Sequence, residues 1–182
     1  MLLFNCIETF FLNLRSTASL VRTLYPTLVK EIHFKKGQII QSKGDLNTKI
    51  YIVKSGLLRS YSIDKKGKDH IFMFAPEGWV IADNSSPDQP CDLFIEALED
   101  SVVIQKEKDI SQEQDLKKIV KRLYVLQSRI IMLMSASALD RYQHFIETYP
   151  DIVQRVPQRM IASYLGITPQ ALSTIRSEIA KK

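Results

Sequence analysis

The stretch whose reading decides this chain is its last twenty-seven residues, Val156-Pro157-Gln158-Arg159-Met160-Ile161-Ala162-Ser163-Tyr164-Leu165-Gly166-Ile167-Thr168-Pro169-Gln170-Ala171-Leu172-Ser173-Thr174-Ile175-Arg176 and on to Lys182. They divide into a helix, a tight turn and a second helix. Apolar residues stand at Ile161, Leu165, Ile167, Leu172 and Ile175. Ala162 is small where a second helix has to approach closely. Gly166 stands where the chain reverses, and glycine enters the left-handed region without a Cβ penalty. Thr168 suits an N-cap, and Pro169 suits the first helical position. A small residue, a turn glycine and a capped second helix in this order are the signature of a helix-turn-helix that reads DNA. An ordinary helical hairpin without a ligand is the competing reading of the same pattern.

The distribution of charge agrees with a polyanionic partner. The 182 residues carry 25 Lys and Arg against 20 Asp and Glu, a net charge of +5. Residues 1–112 hold 14 of each sign, whereas residues 113–182 hold 11 basic and 6 acidic residues. The whole excess therefore lies in the part that ends in the helix-turn-helix, at a density modest for a nucleic-acid footprint. The length allows one large or two small domains, and a hydrophobic content of 45% fits a globular protein.

Two cysteines, Cys6 and Cys91, are too few for a four-cysteine iron–sulfur cluster within one chain and have no zinc-ribbon spacing. Free thiols in a reducing cytoplasm are expected, with no cofactor. The apolar stretch Met1–Leu14 is interrupted by Asn5, Glu8 and Asn13 and has no basic leader. It is too short to span a bilayer, so an amphipathic helix over the first domain is expected, with no membrane partner.

Between about residues 30 and 110, eight short β-rich runs recur with turn residues between them. They are Glu31–Phe34, Gln38–Gln41, Ile50–Val53, Leu57–Ile63, His70–Phe74, Trp79–Ile81, Phe94–Leu98 and Val102–Gln105. This spacing predicts a barrel or jelly roll. Arg59, Tyr61 and Ile63 alternate with Ser60, Ser62 and Asp64, as on a strand with one wet face.

The period then changes. Leu116, Ile119, Leu123, Leu126, Ile130 and Leu133 are spaced three, four, three, four and three, which is the a/d seam of two helices packed side by side. A single amphipathic helix lying on the barrel is the alternative. A further helix is expected over Ser137–Thr148, ending at Tyr149-Pro150 because a residue before proline is pushed out of the α region.

This order of parts resembles the Crp/Fnr family of bacterial transcription regulators, from about residue 30 to the end. The phrases that carry it are Phe34-Lys35-Lys36-Gly37-Gln38, Ile50-Tyr51-Ile52-Val53-Lys54-Ser55-Gly56-Leu57-Leu58-Arg59, Asp64-Lys65-Lys66-Gly67-Lys68, Ile95-Glu96-Ala97-Leu98-Glu99-Asp100 and the terminal segment. The resemblance implies an α+β chain in three parts. Residues 1–112 form an effector domain of the cyclic-nucleotide-binding type with an N-terminal helix. Residues 113–136 form a dimerisation helix, and residues 137–182 the DNA-binding helix-turn-helix. It also implies a homodimer in the cytoplasm, duplex DNA as the partner, an unknown small-molecule effector, and RNA polymerase as a further partner.

The chain departs from the family in two places. Members that bind cyclic nucleotide carry a Gly-Glu pair and then an Arg followed by Ser or Thr; here Ala82-Asp83 and Cys91-Asp92 stand near those positions. From Asp69 to Gln105 there is no Lys or Arg, and there are eight acids. A cyclic phosphate is anionic and seeks an Arg or a nest of backbone donors, so this stretch is expected to repel it. The effector pocket is expected instead around Phe72, Met73, Trp79, Ala82, Asp83, Cys91 and Asp92, although Phe72, Met73, Phe74 and Trp79 equally suit a barrel core. Many members also continue into a β-hairpin wing. With six residues after Arg176, and little room between Pro150 and Val156, a wingless head is expected.

In a helix-turn-helix the N-terminal residues of the second helix reach base edges. The expected DNA contacts are Thr168, Pro169, Gln170, Ser173 and Thr174, with Arg176 further along, where a solvated helix face is the alternative. Gln170 leads, because its amide can pair bidentately with adenine. Gln158 and Arg159 suit phosphates, which position without specifying. An enzyme is not expected. His33, His70 and His144 form no pair at metal-ligand spacing, and the turn glycines of the β domain are isolated. A degenerate member that binds only proteins or a small molecule is the remaining alternative.

Overall fold

Each of the eight β-rich runs forms a strand, because β-branched and aromatic residues fit a pleated, half-buried surface and each run is bounded by a turn. The structure is a computed structural model describing residues 30–108 and 116–181; the expected helix over Met1–Leu14, and Cys6 within it, lie outside these. The strands are β1 (Lys30–Phe34), β2 (Ile39–Gln41), β3 (Ile50–Ser55), β4 (Leu58–Ile63), β5 (Asp69–Ala75), β6 (Val80–Ile81), β7 (Phe94–Ala97) and β8 (Ser101–Lys106). They form two antiparallel sheets, ordered β1-β8-β3-β6 and β2-β7-β4-β5. Leu57, Leu58, Phe74, Ile81, Ile95 and Val103 are fully buried. Each such side chain contributes about 1.5–3 kcal/mol relative to an exposed one.

The β3–β4 turn shows why one glycine is needed. Gly56 has φ +90°, and a Cβ there would lie 2.3 Å from Ser101 Oγ and 2.7 Å from the Asp100 carbonyl oxygen. The turn therefore presses directly on the start of β8, and Ser101 Oγ accepts the Leu57 N–H at 3.2 Å.

The expected wet face of β4 is corrected. Arg59 is 6% and Ser60 1% exposed, whereas Ile63 is 42% exposed. β4 is a central strand between β7 and β5, and its register against β5 shifts between Ser60 and Tyr61. Such a bulge breaks the two-residue period, so alternation in the sequence does not translate into alternation of burial.

The chain divides into two compact units, one ending at Gln114 and the other resuming at Asp115. The second unit contains α1 (Leu116–Ser135), α2 (Ala138–Thr148), α3 (Ile152–Arg155), α4 (Gln158–Leu165) and α5 (Pro169–Ala180). Ser137 caps α2 in a capping box with Asp140, and the helix ends at Tyr149, ahead of Pro150. α3, a single turn, has no counterpart in the sequence expectations. Phe145, Tyr149 and Tyr164 make an aromatic cluster with centroids 5.2–5.6 Å apart. The Arg129 guanidinium of α1 lies 4.2 Å from the Tyr164 ring centroid, which ties α1 to α4.

Candidate nucleic-acid interface

The turn between α4 and α5 has the geometry that the terminal sequence predicts. Gly166 is left-handed at φ +67°. The Ile167 N–H donates to the Ala162 carbonyl at 3.0 Å and the Gly166 N–H to that of Ser163 at 3.2 Å. This pair of bonds is a Schellman motif, which occupies the orphan carbonyls at the helix end. Arg141 of α2 adds a third donor, with Nη1 2.8 Å from the Leu165 carbonyl oxygen. Thr168 starts α5 in extended conformation, and its Oγ1 accepts the Ala171 N–H at 3.1 Å.

Packing then fixes which face of α5 points out. Leu172 and Ile175 are buried, as are Ile161, Ala162 and Leu165 of α4. Thr168, Pro169, Gln170, Ser173 and Thr174 are exposed, and so are Gln158 and Arg159 at the start of α4. Arg176 is half-buried, four residues after Leu172 and thus on the packed side. The sequence reading omitted Ser177. It is exposed and lies two helical turns beyond Gln170, so the helical period alone would have placed it on the same face. The Thr174 hydroxyl donates to the Gln170 carbonyl oxygen at 3.2 Å.

α1 presents a different kind of exposed face. Leu123 is 60% and Ile130 58% exposed, flanked by exposed Val120, Tyr124, Ile131 and Met134. Leu126 is half-buried, and Leu133 Cδ2 lies 3.8 Å from where a Cβ on Gly166 would be. The exposed stripe thus runs through Val120, Leu123, Gln127, Ile130 and Met134, with Leu133 of the expected seam also exposed at 36%. The side chains of Leu116 and Ile119 lie outside the described ones.

The residues expected around an effector pocket sit on β5, on the β5–β6 connection and on the β6–β7 connection. Phe72 and Met73 are half-buried on β5; Trp79 and Phe74 are core residues. Ala82, Asp83, Cys91 and Asp92 belong to the β6–β7 connection, where Asp83 and Cys91 are buried and Asp92 is exposed. Cys91 Sγ donates to the Ser42 carbonyl at 3.0 Å, and the Cys91 N–H donates to that of Asp45 at 3.0 Å, so this cysteine pins two loops together. Asp83 Oδ1 accepts the Ser85 N–H at 2.6 Å. Burial works against the Asp83 charge, but donors from Ser85, the Asp92 N–H and the charge of Lys108 outweigh it and hold the carboxyl below its ordinary range.

The acidic stretch is not left without cations. Arg59 enters it from β4, with Nη2 2.7 Å from Glu96, Nη1 3.0 Å from Asp69 and the guanidinium 4.0 Å from the Tyr61 ring centroid. Lys108 Nζ reaches Thr48 Oγ1 at 2.5 Å and the Ser85 carbonyl at 2.9 Å. Both cations come from outside the 69–105 window, as does Lys35, whose Nζ lies 2.9 Å from Asp100. Gln41 and Ser60 flank Ile95 across β2, β7 and β4, and Gln41 Oε1 and Ser60 Oγ are buried without a hydrogen-bond partner among the described residues. Among the described residues no group of three or more His, Cys, Asp or Glu is placed to hold a metal, and no helix is long and apolar enough to cross a membrane.

Residues 31–113 match the cyclic nucleotide-binding domain family. The anaerobic regulatory protein of Haemophilus influenzae is 23% identical over 168 residues, covering 81% of this chain and 65% of that protein. The regulatory protein HlyX of Actinobacillus pleuropneumoniae is 24% identical over 81% of this chain and 70% of its own. This chain thus spans about two thirds of the length of these relatives. Among solved structures, FixK2 from Bradyrhizobium japonicum superposes with a TM-score of 0.67 at 20% identity, covering 85% of this chain and 86% of that one. A CRP/FNR-family transcriptional regulator from Thermus thermophilus gives 0.60 at 16% identity, covering 84% and 86%. Residues 31–113 thus match the cyclic nucleotide-binding domain, and the chain is similar in sequence to these anaerobic regulatory proteins and in fold to solved CRP/FNR-family regulators.

Proposed function

We propose that the protein is a homodimeric transcription regulator whose α5 helices read an inverted repeat in duplex DNA. The observation that carries this reading is the head itself, in which an exposed polar helix is seated on buried Leu172 and Ile175 and entered through a Schellman turn. Its candidate base contacts are Thr168, Pro169, Gln170, Ser173, Thr174 and Ser177, and its candidate phosphate contacts are Gln158 and Arg159. The exposed apolar stripe of α1 is the dimer seam. Two heads joined along it present half-sites about 10 bp apart. The work is done in the cytoplasm, with RNA polymerase as the further partner that transcriptional control implies.

The β domain senses a signal other than a cyclic nucleotide. A cyclic phosphate needs a free guanidinium or a nest of backbone donors. In the β6–β7 connection a carboxylate, Asp83, already takes the Ser85 N–H, while Arg59 and Lys108 are engaged by partners of their own. Two measurements test the proposal. Filter retention of random duplex DNA by the full chain should be strong at low salt and should enrich an inverted repeat; no retention at low salt would overturn the DNA-binding reading. Calorimetric titration with cyclic AMP and cyclic GMP should give no binding heat, and saturable binding would overturn the ligand reading.

A further inference from the structure

We infer that the outward face of α5 specifies A·T base pairs in each half-site and makes no direct readout of guanine; this rests on the DNA-binding reading above. What each outward side chain still has to offer carries the argument. Guanine is read chiefly by Arg or Lys reaching O6 and N7 together. The outward stripe is Gln170, Ser173, Thr174 and Ser177, with no cation until Lys181, at the far end from the residues that enter the groove first. Arg176 lies on the packed side with Leu172, and Arg159 stands at the start of α4, where phosphates are contacted.

The remaining chemistry favours adenine and thymine. The Gln170 amide is exposed and makes no hydrogen bond among the described residues, so donor and acceptor are both available for adenine N6 and N7. The Thr174 hydroxyl has turned back to donate to the Gln170 carbonyl oxygen, which leaves its methyl group as the free contact surface. A methyl at that place suits the thymine C5-methyl. Gln170 and Thr174 are one helical turn apart, so their contacts fall on neighbouring base pairs. Thr168 Oγ1 is occupied by its cap, and Ser173 and Ser177 discriminate weakly because a hydroxyl both donates and accepts.

Selection of the full chain against a random duplex library, followed by sequencing, tests this. The expected half-site has A and T as its most constrained positions and no required G. Gln170→Ala should relax the A preference by about 5- to 150-fold while low-salt retention persists. Thr174→Val should keep the T preference, since the hydroxyl is committed to the backbone, and Thr174→Arg should create a new G preference. An invariant G in the wild-type half-site, or loss of the T preference in Thr174→Val, would overturn the inference while leaving DNA binding intact. Failure of the wild-type chain to retain any duplex at low salt would instead overturn the DNA-binding reading and this inference with it.

Discussion

Two helices of the same unit leave a face in solvent, and the two faces are opposites. α1 exposes Val120, Leu123, Ile130 and Met134, whereas α5 exposes Gln170, Ser173, Thr174 and Ser177. Both helices are amphipathic in sequence, yet only α5 turns its apolar side inward, because α4 supplies Ile161, Ala162 and Leu165 as a seat. An exposed apolar stripe calls for a surface that excludes water. An exposed stripe of amides and hydroxyls calls for a partner that replaces water's hydrogen bonds one by one. The difference teaches that a helix's own periodicity says it has two faces, and its neighbours decide which one is left for a partner.

The comparison breaks most sharply on α1. Leu123→Glu combined with Ile130→Glu should halve the mass measured by light scattering and weaken operator binding by about a hundredfold or more, as two linked heads become two separate ones. An unchanged mass would show that the apolar face is not the seam. On the reading head, Arg141→Met removes the charged bond to the Leu165 carbonyl. Bonds to charged groups contribute about 1.5–3 kcal/mol, and the lower end is expected because Arg141 Nε is buried without a partner among the described residues and its loss is favourable. Urea unfolding measures this, with the mass unchanged. Thr168→Ala should cost about 1 kcal/mol through the lost N-cap, also without dissociation.

The smallest effect is a pH dependence. His144 is buried on α2, and burial, opposed by Glu147 and reinforced by Arg129, holds its pKa below 6.5. The native state then binds fewer protons than the unfolded chain, so its stability is full above 6.5 and falls as the pH drops below that value. The melting temperature should fall between about pH 7.5 and about pH 5.5, and less so in His144→Phe. An equal fall in both proteins would assign the effect to other groups.

Much of the fold is legible in the sequence for local reasons. The eight strands are bounded by their own turn residues, and Gly166, Thr168 and Pro169 carry the geometry of the head within four positions. What escaped is non-local or depends on register. Lys108 meets the Thr48 hydroxyl from 60 residues away, and Arg59 meets Glu96 from 37 away, so neither contact shows in a local window of sequence. The bulge at Ser60 and Tyr61 removed the alternation that promised a wet face. On the candidate interface, burial of Leu172 and Ile175 was readable from the period, and Ser177 was readable by the same rule. The turning back of the Thr174 hydroxyl was not, because a threonine on a helix can spend that proton on its own backbone or on a partner.

One feature of α5 bears on how such a protein changes over generations. Apart from Thr168, which also caps the helix, the residues that hold it, Leu172 and Ile175, and the residues proposed to face DNA do not overlap. On the proposed reading, a codon change at Gln170, Ser173 or Ser177 alters which sequence is preferred while leaving the packed side of the helix untouched. If α5 reads DNA as proposed, operator and regulator can drift together in single steps, and a duplicated copy can acquire a new set of targets without passing through an unfolded ancestor.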